Sequence, residues 1–431
     1  MRIAVIGLGK MGLPMAVQYA GRGHTVLGVD RDPAVVAQVN AGTEPFPGER
    51  ELAERLRSAI ASGGLTATTD TTTAVTVSDV IVVLVPLYVN PAGDPDFGPI
   101  DQATEAVGRG LRPGALVIYE TTLPVGTTRT RCTPSLELAS GLRAGSEFTV
   151  AFSPERVFSG RVFADLARYP KLVGGIDPIS TRRATTFYEA VLDFDDRPDL
   201  DRPNGVWPLA SAEAAELAKL AETTYRDVNI ALANQFAIFS DRIGVDFQQV
   251  IEACNSQPFS HLHRPGIAVG GHCIPVYPRL YLWNDPAATV VQTAREVNAA
   301  MPAYAVDLLG AQLGDLTGLR VVVLGAAYRG GVREVAYSGV FATVDQLRQR
   351  GAVPLVHDPL FDSAELTALG FEPYQFGEPV DAAIVQADHR EYRGLGVLDL
   401  PGAKAIVDGR AMLDPARWPG VRLVALGRGA G

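Results

Sequence analysis

Cysteine is scarce in this 431-residue chain. The three present, Cys132, Cys254 and Cys273, are too scattered for a disulfide framework or a CxxC zinc pair. That scarcity fits a reducing compartment and predicts a cytoplasmic protein. Long apolar runs are missing too: none approaches the ~20 residues that span a bilayer. The opening MRIAVIGLG enters a strand pattern without the basic stretch and cleavage site of a secretory leader, so no membrane partner is expected. Basic residues are in deficit, 38 against 48 acidic, for a net charge of −10. This argues against a general nucleic-acid binder and leaves room for a small, enclosed anion. Tryptophan is rare, and Trp207, Trp283 and Trp418 read as dispersed packing residues. His261 and His263 have metal-like spacing but no acidic or thiol partner beside them in sequence, so no metal site is expected.

What is present is globular. Hydrophobic residues make up 47% and charged residues 20% of the chain, and at roughly 150 residues per domain the length suggests two or three domains. Residues 2–6 (RIAVI) form a β-branched run, followed by glycines at 7, 9 and 12, a helical pattern, and a second strand-like run from His24 to Val29. Further buried-strand candidates at 80–85, 115–119 and 148–152, with helical stretches between them, imply a parallel sheet covered on both faces. Residues 211–244 are Ala-rich with no Gly or Pro in the interior, which predicts a long helix or two in succession. A helix at 246–255, a Gly/His/Pro-rich loop at 256–278 and a helical stretch at 287–313, interrupted at Pro302, follow. Strands at 320–324, 353–357 and 382–386 alternate with helices and give a second α/β layer; residues 427–431 read as a frayed tail. The fold expected is α/β: two Rossmann-like domains, 1–205 and 315–431, joined by a helical central domain, 206–314.

Three features carry chemistry. GLGKMG at 7–12 is a GxGxxG between strand and helix, where glycines let backbone approach a pyrophosphate at a helix N-terminus. Asp30 lies 18 residues after Gly12, at the end of the second strand, placed for adenosine ribose hydroxyls. A Gly-rich structural turn is the bland alternative, and Arg31 blurs the preference for NAD over NADP. Cys273, in VGGHCIPVYP, sits on a tight loop that fits either a reactive thiol or a buried cysteine; Cys254 and Cys132 look like ordinary packing. Lys219 lies on an apolar-rich helix, near a buried face or snorkelling to solvent. Asn229 and Asn234 on the same helix read as polar packing residues.

GLGKMGLPMA, YETTLPVGTT (119–128), SPERVFSGR (153–161), ELAKLAETTYRDVNIALANQ (216–235) and GGHCIPVYP (270–278) follow one another in the order and approximate spacing of the nucleotide-sugar 6-dehydrogenase family. The chain resembles that family over nearly its whole length, and RDVNIALAN and GGHCIPV resemble its UDP-N-acetylhexosamine branch. The resemblance implies NAD-dependent oxidation of the C6 alcohol of a UDP-sugar to the uronic acid. It implies cofactor contacts from Gly7, Gly9, Lys10, Met11, Gly12, Asp30, Arg31, Pro86 and Thr122. Cys273 would form a thiohemiacetal and then a thioester, Lys219 would stabilise oxyanions, Thr122 would order a water or the C6 oxygen, and Glu155 would assist water attack. Substrate contacts would come from Glu155, Arg156, Lys219, Arg264, Gly270, Gly271, Tyr328, Arg329 and Arg333, and a homodimer through the central helices is implied.

The sequence departs from the family at three places. Four residues after the nucleophile the family carries Asp, and here Tyr277 stands; four after the lysine it carries Asn, and here Thr223 stands; and Ala336 occupies the place of a substrate-binding Arg. One reading keeps the chemistry, with Thr223 as hydroxyl donor, Arg333 as substitute clamp, and Tyr277 as proton acceptor, its phenol drawn down by the adjacent Lys219 ammonium. The other has the family chemistry altered: aldehyde release, redox-neutral isomerisation or epimerisation on retained NAD, or nucleotide-sugar binding without turnover.

Overall fold

The β-branched run Arg2–Ile6 is buried along all but its first residue, as a strand covered on both faces must be. In the computed structural model, which describes residues 1–429 except Pro47, Pro91 and Ser159, it is the inner strand from which the first sheet is built. Ser159, within the SPERVFSGR motif, and the last two residues of the expected tail lie outside the described residues. The described part of that tail is not frayed. The amide of Phe247 donates to the Gly427 carbonyl at 2.7 Å, and the amide of Gly429 donates to Asp241 at 3.0 Å.

The chain packs as two compact units, residues 1–222 and 223–431. The first holds, among the described residues, an eight-stranded sheet in the order Val206–Pro208, Lys171–Gly175, Thr149–Phe152, Leu116–Tyr119, Val80–Val83, Arg2–Ile6, Thr25–Val29 and Leu65–Thr68. All pairs are parallel except one: Thr149–Phe152 meets Lys171–Gly175 antiparallel, with Phe152 opposite Gly174. The strands expected from sequence pair in parallel with one another, and the antiparallel partner is a strand the sequence did not reveal. The short helix Val162–Arg168 between those strands rises only ~10 Å at 1.5 Å per residue, and the loop before it carries Glu155. Helices Gly12–Gly21 and Pro178–Val191 contribute Leu13, Val17, Phe187 and Val191 to the core under the sheet.

The second unit holds a five-stranded, wholly parallel sheet, Val353–His357, Arg320–Leu324, Ala382–Val385, Ala405–Asp408 and Arg422–Ala425 in spatial order. Its two faces bury separate clusters, one around Val321, Val323 and Leu347, the other around Val322, Leu355 and Trp418. The 32-residue helix Ala212–Ile243 begins in the first unit and ends in the second. Helices Phe247–Asn255, Tyr277–Asn284 and Thr289–Leu313 complete the helical middle. The last runs through buried Pro302 without a break, where an interruption is expected from sequence. Tyr277–Asn284 falls partly within the stretch expected as loop; its proline sits in the first turn, where a missing N–H costs no helical bond.

Candidate functional site

In the first unit the glycine turn is built by close approach. The Gly7 amide donates to the Val29 carbonyl at 2.7 Å with φ of +97°, and a Cβ on Gly12 would lie 1.7 Å from the Gly7 carbonyl oxygen. A Cβ on Gly9 would meet nothing within 4 Å, so its backbone faces open space at the start of helix Gly12–Gly21. Asp30 accepts the Leu8 amide on one carboxylate oxygen at 2.9 Å and the Asp32 amide on the other at 3.0 Å. Each oxygen keeps a further lone pair for a ribose hydroxyl. An open glycine edge at a helix N-terminus and an anchored carboxylate at the next strand end together fit a dinucleotide. Lys10, Arg31 and Pro86 are exposed around this turn, and Met11 is half-buried.

Thr122 and Glu155 follow the neighbouring parallel strands Leu116–Tyr119 and Thr149–Phe152, beyond their carboxyl ends. Thr122 is buried. Glu155 accepts its neighbour Arg156's amide on Oε1 at 2.7 Å and the Lys171 ammonium on Oε2 at 2.9 Å. Burial pushes its carboxyl up, but Lys171, the Arg156 amide and the charge of Lys219 outweigh this and hold it below the ordinary value. Lys219 is 5% exposed, which decides between the two settings open in the sequence: it is buried. The guanidinium of Arg156, expected on substrate, pairs with Glu222 at 2.8 Å.

Sequence reasoning missed three residues here. Lys171 lies between Glu155 and Glu120, whose own carboxylate receives the hydroxyls of Tyr188 at 2.5 Å and Tyr19 at 3.3 Å. Glu216, one turn before Lys219, accepts from the Gly126 amide at 2.6 Å and from the Thr128 amide and hydroxyl at 2.9 and 2.7 Å, pinning the LPVGTT segment. Burial pushes Glu216 up to about 7 against those donors. The available signal was Glu216 itself, an acidic residue spaced three from a lysine on one helix face.

The second unit places Cys273 half-buried at the head of a turn: its carbonyl accepts the amides of Val276 at 3.2 Å and Tyr277 at 2.9 Å, leading into helix Tyr277–Asn284. The preceding glycines are required by packing. A Cβ on Gly270 would lie 2.5 Å from the Tyr328 Cβ, and Gly271, at φ +88°, lies under the Tyr328 ring and donates its amide to the Ala336 carbonyl at 2.9 Å. The Tyr328 side chain thus packs on the thiol loop, with Arg329 Nε on its hydroxyl at 3.1 Å. Arg333, expected as substitute clamp, is turned to Glu365 and donates to the Leu360 carbonyl at 2.9 Å. His272 faces Glu334 at 3.4 Å, Thr223 is fully buried, and Arg264 is exposed.

Asn234 anchors the same loop, accepting the Gly266 amide and donating to Asn298, both at 2.9 Å. Asn229 donates to the Tyr225 carbonyl at 2.7 Å. Cys132 is buried, which pushes its thiol up to about 12, and Cys254 is half-buried. Among the described residues no group of three or more His, Cys, Asp or Glu could hold a metal ion, and no helix is long and apolar enough to cross a membrane.

Three models of the UDP-glucose/GDP-mannose dehydrogenase family match: its NAD binding domain at 1–192, its central domain at 213–300 and its UDP binding domain at 322–415. The chain is 34% identical to UDP-N-acetyl-D-mannosamine dehydrogenase of Pyrococcus horikoshii over the full length of both. It is 30% identical to NDP-N-acetyl-D-galactosaminuronic acid dehydrogenase of Ralstonia nicotianae over 98% of this chain and 97% of that one. A solved UDP-glucose dehydrogenase of Pyrobaculum islandicum superposes with a TM-score of 0.87 at 28% identity, covering 99% and 97% of the two chains. The chain therefore belongs to the UDP-glucose/GDP-mannose dehydrogenase family, as an NAD-dependent enzyme that oxidises UDP-sugars.

Proposed function

We propose that the substrate is a UDP-N-acetylhexosamine and that its C6 alcohol is carried to the carboxylate through Cys273. The relatives named for N-acetylated sugars support the substrate class. The observation that carries the chemistry is the Cys273 turn, with Gly270 and Gly271 packed under Tyr328 so that the thiol stands at the head of a helix.

The roles divide by residue. NAD, when bound, accepts one hydride in each of the two oxidations. Thr122 orders the C6 oxygen or a water, and Lys219 stabilises the oxyanions that form at C6. The Cys273 sulfur adds to the aldehyde; loss of hydride and proton from the thiohemiacetal gives the thioester. Water attack, assisted by ionised Glu155, then releases acid and thiol. Tyr277 takes the alcohol proton in place of the family's Asp, and Thr223 donates a hydroxyl in place of its Asn. Three segments share this work: 1–205 for NAD, 206–314 for lysine and thiol, and 315–431 for the nucleotide. The enzyme acts as a homodimer formed by the central helices, in which Arg264 reaches the substrate diphosphate.

A specific observation favours a second reading, in which the reaction stops at the aldehyde or no turnover occurs: Arg333 is engaged by Glu365 while Ala336 stands in the family arginine's place. Counting NADH per sugar consumed across a panel of UDP-sugars separates the two. The first reading expects two equivalents and an acidic product, with Cys273→Ser blocking the second oxidation and Tyr277→Phe impairing the first at least tenfold. One equivalent or none from the unaltered enzyme overturns it, and a fully active Tyr277→Phe removes the tyrosine from the mechanism.

A further inference from the structure

One side of Glu155 is closed by a buried ion cluster. Lys171 Nζ lies 2.9 Å from Glu155 Oε2 and 3.3 Å from Glu120 Oε2, with side-chain exposures of 5%, 11% and 0% for the three residues. Three elements meet there: Lys171 opens the strand Lys171–Gly175, Glu120 follows Leu116–Tyr119, and Glu155 follows Thr149–Phe152. Behind Glu120, the hydroxyls of Tyr19 and Tyr188 fix its other oxygen, so Glu120 cannot swing away from the lysine. The space beside Glu155 and Lys171 is a cavity of about 10 Å³, at the lower limit for a single water. That space is too small for a sugar ring.

We propose that Lys171 is the positioning residue for Glu155: its ammonium, in hydrogen-bond contact, fixes the Glu155 carboxylate in place for the attack of water on the thioester. The proposal rests on the reading of Glu155 as that base. Glu155 also feels Lys219 from the long helix and the Arg156 amide. The Arg156 guanidinium is paired with Glu222, and the like charges of Glu155 and Glu120 oppose each other, an opposition that adds to burial in raising Glu120. Lys171 is a cation in hydrogen-bond contact with the carboxylate, at a site where a low dielectric strengthens the pairing.

The test uses the full-length chain with NAD and UDP-N-acetylmannosamine, following single-turnover thioester hydrolysis from pH 5 to 9. Lys171→Met is expected to move the acid limb upward by about one pH unit, slowing hydrolysis about tenfold on that limb, and Lys171→Arg to restore it. Glu120→Gln should move the limb the other way, because it removes the opposing charge and leaves the Lys171–Glu155 pair intact. A folded Lys171→Met with an unchanged limb, or an upward shift in Glu120→Gln, overturns the proposal. Where Lys171→Met does not fold by circular dichroism, the opposite-signed Glu120→Gln shift decides. Glu155→Gln separates the two claims. If it hydrolyses the thioester at the native rate, the base reading falls and this proposal with it. If it stalls at the thioester while the Lys171 and Glu120 variants keep native limbs, the positioning claim alone falls.

Discussion

At the residue scale, Gly12 and Gly9 look alike in the GLGKMG motif and are held by different forces. Gly12 is excluded from carrying a side chain by the Gly7 carbonyl, a backbone atom that cannot yield without opening the turn. Gly9 has room for a methyl group as far as the protein is concerned. Gly12→Ala is therefore expected to destabilise the fold by ~3 kcal/mol or more, read as a lowered urea midpoint. Gly9→Ala should keep its midpoint within about 0.5 kcal/mol while weakening NAD binding at least tenfold, read by fluorescence titration. Native NAD affinity in Gly9→Ala would show that the open edge is not where the pyrophosphate lies. The motif and Asp30 were legible because their partners are near in sequence and bound through backbone. Lys171 and Glu120 were not, because their meaning arises only when three strand ends converge.

At the element scale, strands and helices with strong local pattern emerged from sequence, and weakly patterned ones did not. Arg2–Ile6, Arg320–Leu324 and Val353–His357 could be read from β-branched runs. Val206–Pro208 and Lys171–Gly175 could not, being short or glycine-bearing and placed by the sheet they extend. Strand Val353–His357 carries a further consequence at its last residue. Burial lowers the His357 imidazole to about 4, with Asp358 opposing and His389 adding to the shift, while its Nδ1 lies 3.1 Å from the Tyr392 hydroxyl. The folded state therefore resists protonating this histidine where the unfolded chain, near 6.5, accepts the proton. Stability from this group is present above about pH 6.5 and is lost as the pH falls toward 4, by roughly 2 to 3 kcal/mol. Urea midpoints at pH 7 and 4.5 should show a smaller acid loss in His357→Gln than in the native chain; equal losses would remove His357 as the cause.

At the scale of the whole molecule, the long helix presents a surface that the chain does not cover. Tyr225, Leu232, Phe236, Phe239 and Ile243 are all exposed, at 57%, 42%, 41%, 48% and 53%, on helix Ala212–Ile243. Their spacing of seven, four, three and four places them on one stripe, the spacing of a seam against which another helix can pack. Beside this seam, Ala233 and Ala237 are buried in a cluster with Phe247, Ile251 and Met301. The stripe supports the homodimer proposed above through self-complementary burial, the arrangement a two-fold interface requires. Replacing Leu232 and Phe239 together with Glu places like charges on both copies of the seam and should convert the dimer to monomer in sedimentation velocity. The charges are added on side chains already exposed, so the monomer's own circular dichroism should be unchanged. A native dimer that survives both substitutions would move the interface away from this helix.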